Sequence, residues 1–176
     1  RSFNEVIKDF SAAAFVVIYI PLTMSFAALM LREPARDGSV EGKYWVITIV
    51  TTVILIDSSA YLFGRKIGKR PMLPKVSPKK TWEGFIVSAV FAVASAMVQT
   101  PWLLKLPWWF AFVVAFVVLL SAVLGDFAES LIKRDLGVKD MSSLIPGHGG
   151  MMDRLDSMLP ACLTGYLLMI FVGRFF

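Results

Sequence analysis

Trp108-Trp109-Phe110-Ala111-Phe112-Val113-Val114-Ala115-Phe116-Val117-Val118-Leu119-Leu120-Ser121-Ala122-Val123-Leu124-Gly125 runs for eighteen residues without a charge and ends directly on Asp126. A hydrocarbon core of roughly 30 Å takes about 20 helical residues, so this stretch reads as a membrane-crossing helix with a carboxylate at its exit. The rest of the chain has the same character. Of 176 residues 57% are hydrophobic and only 18% charged, and the mean hydropathy is +0.69, well beyond what a soluble domain of this length uses. Four more apolar runs, at residues 10–31, 44–63, 84–98 and 158–176, bring the expected total to about five transmembrane helices. The expected fold class is therefore all-α, a polytopic membrane helical bundle, with residues 1–176 expected to form a single membrane-embedded region. Pro21 falls inside the first run, where a lipid-embedded helix tolerates a kink. Trp45, Trp82, Trp102, Trp108 and Trp109 fall near run ends, where amphipathic rings favour the interface.

The charges that remain are sorted by side. With five crossings, thirteen of the eighteen Lys and Arg fall on one face: Arg1 and Lys8, seven between residues 64 and 83, and Lys133, Arg134, Lys139 and Arg154. Arg32, Arg36, Lys43, Lys105 and Arg174 fall on the other. Positive residues are retained in the cytoplasm, which puts loops near 64–83 and 126–157 there. The net charge of +5 is thereby a matter of orientation, and no nucleic-acid partner is expected. Cys162 is the single cysteine, in an apolar run, so neither an intrachain disulfide nor a thiolate metal site is available. The chain opens on Arg1, and we read it as the C-terminal portion of a longer protein.

Against this background the polar residues at membrane depth stand out. Asp57 sits inside the second run, where an ionisable group is costly unless it faces a cavity, a partner or an ion. One turn later come Tyr61 and the basic stretch Gly64-Arg65-Lys66-Ile67-Gly68-Lys69-Arg70, which pairs flexible backbone with phosphate-sized charge but lacks the Gly-Lys-Ser/Thr ending of a Walker A loop. Ser77-Pro78-Lys79-Lys80-Thr81-Trp82-Glu83-Gly84 precedes the third run, with Thr81 or Ser77 as its N-cap. Two lysines at a helix entrance suit a phosphate, although retention of the loop in the cytoplasm would explain them equally well.

Asp126, Glu129 and Lys133 recur at i, i+3 and i+7 and share one helix face. Pro146-Gly147-His148-Gly149-Gly150 is a loop suited to tight backbone geometry, and Asp153-Arg154-Leu155-Asp156 opens the last run. Carboxylates with one His and no usable Cys favour a hard cation such as Mg²⁺ or Ca²⁺ over zinc. Acids among many Lys and Arg at a membrane surface point to metal-assisted chemistry on a phosphate.

These stretches resemble the phosphatidate cytidylyltransferase family, the CDP-diacylglycerol synthases. The resemblance rests on Ser130, Lys133-Arg134, Lys139-Asp140, Pro146, His148-Gly149-Gly150 and Asp153-Arg154-Leu155-Asp156, and upstream on Asp57, Ala60-Tyr61, Gly64-Arg65, Gly68-Lys69 and residues 77–84. Ser59 departs from it, many relatives having glycine there. The resemblance implies a multi-helix fold in the cell membrane, the inner membrane of a bacterium, usually as a homodimer, with CTP and phosphatidic acid as partners at the cytoplasmic face. It implies that Asp126 and Asp153 hold Mg²⁺, as one ion or as two with the second monovalent. Asp57, Lys79, Lys80, Lys133, Arg134, Asp140, His148, Arg154 and Asp156 become the expected catalytic set. Arg65, Lys69, Lys79, Lys80 and Lys139 become the expected nucleotide-binding set. Two other classes compete: a CTP-dependent polyprenol-type lipid kinase, which releases CDP rather than pyrophosphate, and an ion-coupled transporter using Asp57 and Asp126.

Overall fold

The structure is a computed structural model, and it describes residues 3–34, 41–74, 76–135 and 155–175. In chain order the elements are α1 (Phe3–Arg32), α2 (Gly42–Ile67), β1 (Pro71–Leu73), β2 (Ser77–Thr81), α3 (Trp82–Trp102), α4 (Phe110–Asp135) and α5 (Met158–Phe175). Helix α2 packs against α3, α3 against α4 and α4 against α5, while α5 also touches α1 and α2 and closes the bundle.

The bundle is apolar outside and partly polar inside. Ile86, Val90 and Phe116 are 60%, 63% and 65% exposed, whereas Thr48, Thr52, Thr100, Ala92, Ala96 and Ala111 are fully enclosed. Small residues let helix backbones approach, and hydroxyls bond across the seams, as expected where lipid replaces water outside. Thr52 Oγ1 and Ser95 Oγ lie 2.9 Å apart between α2 and α3, Thr51 donates to Gln99 at 2.7 Å, and Ser121 meets Thr164 at 2.8 Å between α4 and α5.

Among the described residues three helices, α2, α3 and α4, are long and apolar enough to cross a membrane, and the apolar stretches of α1 and α5 are shorter. The expected count of about five is thus supported for three. Of the tryptophans, Trp45 is buried at 3% inside the bundle, while Trp82, Trp102, Trp108 and Trp109 are exposed.

The helical bundle is as expected, but the segment expected as a loop contains an antiparallel hairpin. Strand β1 pairs with β2, Pro71 opposite Thr81 and Leu73 opposite Ser77, with an irregularity between them. Pro71, Pro74 and Pro78 interrupt the alternation by which a strand is read from sequence. The hairpin is fastened to the start of α3. Trp82 N–H donates to Arg70 O at 2.9 Å, and Glu83 accepts from the Lys69 and Arg70 amides at 3.0 and 3.2 Å. Thr81, not Ser77, is the N-cap, its hydroxyl accepting from Gly84 N–H at 3.2 Å. Gly84 is closely packed: a Cβ there would lie 3.1 Å from both Ala60 O and Gly64 Cα of α2.

Candidate functional site

Where α2 ends, α3 begins, α4 leaves its apolar stretch and α5 starts, the hairpin roofs a cavity of about 510 Å³. Its lining brings together Asp57 from α2, Lys79 and Lys80 from β2, Asp126 from α4, and Asp156 with Ser157 from the turn before α5. These residues come from segments up to a hundred positions apart. Close approach of α4 and α5 makes the meeting possible: a Cβ on Gly125 would run into the Asp156 carbonyl and the Pro160 ring. Glycine at 125 therefore seats Asp126 beside Asp156.

Three carboxylates converge on one point. Asp126, Glu129 and Asp156 each offer an oxygen, all within 4.8 Å of one another, with Glu129 only 2% and Asp156 7% exposed. Burial, reinforced by the Asp126 charge and by hydrogen bonding to Glu129 and Asp126, pushes the Asp156 carboxyl well above the usual carboxylate range. Like charges this close share a proton or a cation. Two lysines partly answer that demand: Lys133 Nζ lies 2.6 Å from Glu129, and Lys80 pairs with Asp126. The stem of Lys80 also places its ammonium 4.4 Å from the centre of the Phe127 ring.

Ser157 joins this cluster to the intramembrane acid. Its hydroxyl lies 3.3 Å from Asp57 Oδ1 and 3.3 Å from Asp156 Oδ1, and its amide donates to Asp156 at 2.6 Å. Asp57 lines the cavity, so its carboxyl faces an open polar space despite its place in an apolar helix. An oxygen-only donor set, partly buried and in excess of its counter-charges, fits a hard divalent cation.

The other expected site residues divide in two. Arg65, Lys69, Lys133 and Arg134 do not line the cavity. Arg65 reaches Tyr61 Oη at 3.5 Å, the Lys69 amide is taken by Glu83, Lys133 holds Glu129, and Arg134 Nε donates to Val76 O at 3.1 Å, tying the end of α4 to the hairpin. Lys139, Asp140, His148, Asp153 and Arg154 lie outside the described residues. Sequence reading did not assign Glu129 to the metal cluster, although its position one turn beyond Asp126 was the available signal. Ser157 and Phe127 carried no signal of their own.

Comparison with known proteins places these features in context. The sequence model of a family described as "Cytidylyltransferase family" matches residues 1–172. The phosphatidate cytidylyltransferase of Mycobacterium bovis is 37% identical over 166 residues, covering 94% of this chain and 52% of that relative. Its Mycobacterium leprae counterpart is 39% identical over 166 residues, 94% and 51% of the two chains. That of Haemophilus influenzae is 38% identical over 147 residues, 81% and 51%. The chain spans about half the length of the curated relatives it matches.

Proposed function

The chain belongs to the cytidylyltransferase family, and on that premise we propose that its protein makes CDP-diacylglycerol from CTP and phosphatidate, releasing pyrophosphate. The observation that carries this reading is the cavity itself, where three aspartates face two lysines at one end of an apolar bundle. That arrangement suits two anionic phosphates, one from a water-soluble nucleotide and one from a lipid.

In this reading a phosphate oxygen of phosphatidate attacks the α-phosphorus of CTP, and the bond from that phosphorus to the bridging oxygen of pyrophosphate breaks. A phosphomonoester is largely dianionic at neutral pH, so the attacking group needs no strong base. Asp126, Glu129 and Asp156 would hold Mg²⁺, and the family resemblance implies Asp153 as a further ligand. The bound ion would neutralise charge on the reacting phosphates and the departing pyrophosphate. Lys79 and Lys80 bind and orient the nucleotide phosphates. Ser157 keeps Asp57 and Asp156 in register. Lys133 and Arg134 act indirectly, one by holding Glu129 and the other by holding the hairpin. Lys139, Asp140, His148 and Arg154 complete the expected set, as the family resemblance implies. Products separate this reading from a lipid kinase, which would release CDP.

The reading extends to topology. All five helices cross the cell membrane, α5 with 18 residues rising about 27 Å, and the cavity faces the cytoplasm as the Lys and Arg asymmetry requires. The exposed apolar faces meet lipid or the second copy of a homodimer. With Cys162 replaced by Ala, a cysteine at Leu73 in the hairpin should react with an impermeant thiol reagent only from the cytoplasmic side. One at Lys105, between α3 and α4, should react only from the other. Reaction of both from one face would rule out this arrangement.

A further inference from the structure

Lys80 sits where a substrate-binding lysine is not expected. Its ammonium is paired with Asp126, the carboxylate that the cavity shares with the acidic cluster. Its ammonium lies over the face of Phe127, and its Nζ is closed off from solvent. Lys79, its neighbour on β2, also lines the cavity but is exposed. The hairpin thus pairs one lysine with a carboxylate and leaves the other exposed at the cavity.

We propose that Lys80 is the resident counter-ion of the metal site, competing with the divalent cation for Asp126 and handing that carboxylate over when a substrate phosphate draws the lysine into the cavity. The inference rests on the function proposed above and adds a coupling to it. An ammonium and a divalent cation cannot both use the same Asp126 oxygen at close range without strong repulsion. A lysine stem of four methylenes is flexible enough to leave Asp126 while β2 stays in place. A phosphate in the cavity supplies the replacement anion, which turns Lys80 from a competitor of the metal into a ligand of the nucleotide. Metal and nucleotide then strengthen each other's binding, and by linkage the strengthening is mutual. The device keeps Asp126 paired in the empty enzyme and lowers the cluster's affinity for stray cations.

The consequence has an unusual sign: removing a lysine that binds substrate should tighten metal binding. Binding of Mn²⁺ alone to the purified full-length protein in detergent, followed by the electron paramagnetic resonance of free Mn²⁺, reads this without turnover. Lys80→Gln is expected to bind Mn²⁺ about tenfold more tightly than the unaltered protein, the effect of freeing one charge-assisted partner. Lys80→Met, which keeps a side chain of similar length without the charge, should show the same gain, and Lys80→Arg should not. Lys79→Gln removes an equal charge from the same cavity and is expected to change the affinity by less than about threefold, the general field alone. No gain in either Lys80→Gln or Lys80→Met, or an equal gain in Lys79→Gln, overturns the inference. Tighter Mn²⁺ binding in a protein that makes no CDP-diacylglycerol would refute the proposed function and leave the competition standing. An active enzyme whose Mn²⁺ affinity ignores Lys80 would do the reverse.

Discussion

Asp126→Asn is expected to lower turnover by about a thousandfold or more, equivalent to about 4 kcal/mol of lost transition-state stabilisation. The swap preserves shape and removes one charge from the point where Asp126, Glu129 and Asp156 come within 4.8 Å. It also releases Lys80, so the loss cannot be repaired by the lysine, which would then repel any cation. Asn retains a carbonyl oxygen but is a poor partner for a hard divalent ion. Because Asp126 lies at the cavity and not in the packed seam around Val118 and Ala122, the helices should still assemble. The measurement is kcat at saturating CTP and phosphatidate, alongside thiol labelling at Leu73 to verify insertion. Near-normal activity would remove Asp126 from the metal site.

The double substitution Lys79→Gln, Lys80→Gln carries the second large expectation, a fall on the order of a hundredfold in kcat/KM for CTP or phosphatidate. Each lysine can supply a charge-assisted bond of roughly 1.5 to 3 kcal/mol, and about 1.4 kcal/mol is a factor of ten. Saturating Mg²⁺ cancels the tighter metal binding expected from loss of Lys80, leaving the cost of the phosphate contacts. If these lysines served only to retain the hairpin in the cytoplasm, Arg65, Lys66, Lys69 and Arg70 would cover for them. Labelling and kinetics on one preparation separate the two roles. Unchanged topology with unchanged kinetics would return both lysines to a purely topological part.

The helices were readable because membrane crossing imposes a length and an apolar composition that survive without knowledge of packing. Helix ends lie beyond the apolar runs where those two signals stop applying. Helix α4 continues to Asp135, well past Gly125, because a helix that leaves the apolar layer keeps its hydrogen bonds in water. The hairpin was hidden by its three prolines, and its stability comes from Glu83 and Trp82 on the next element, which no local pattern reports.

The candidate site divides along the same line. Asp57, Asp126 and Asp156 drew notice as acids in or beside apolar runs, where a charge is costly. Which acids meet was beyond a local reading. Helical spacing put Glu129 on the face of Asp126, but only the packing of α4 on α5 at Gly125 shows that Asp156 completes the cluster. Lys80 was marked as basic and near a helix entrance, and its partner lies 46 positions away on another element. Ser157 was unremarkable until its hydroxyl was seen between two carboxylates.

The most direct test of the central claim is product identification. Purified full-length protein is incubated with CTP labelled in the cytosine ring, phosphatidate and Mg²⁺, and the lipid and aqueous phases are separated. The account predicts cytidine label in the lipid phase as CDP-diacylglycerol, with one pyrophosphate in water for each lipid formed and neither product without the metal. Label remaining in water as CDP, with phosphate transferred to the lipid, would contradict it.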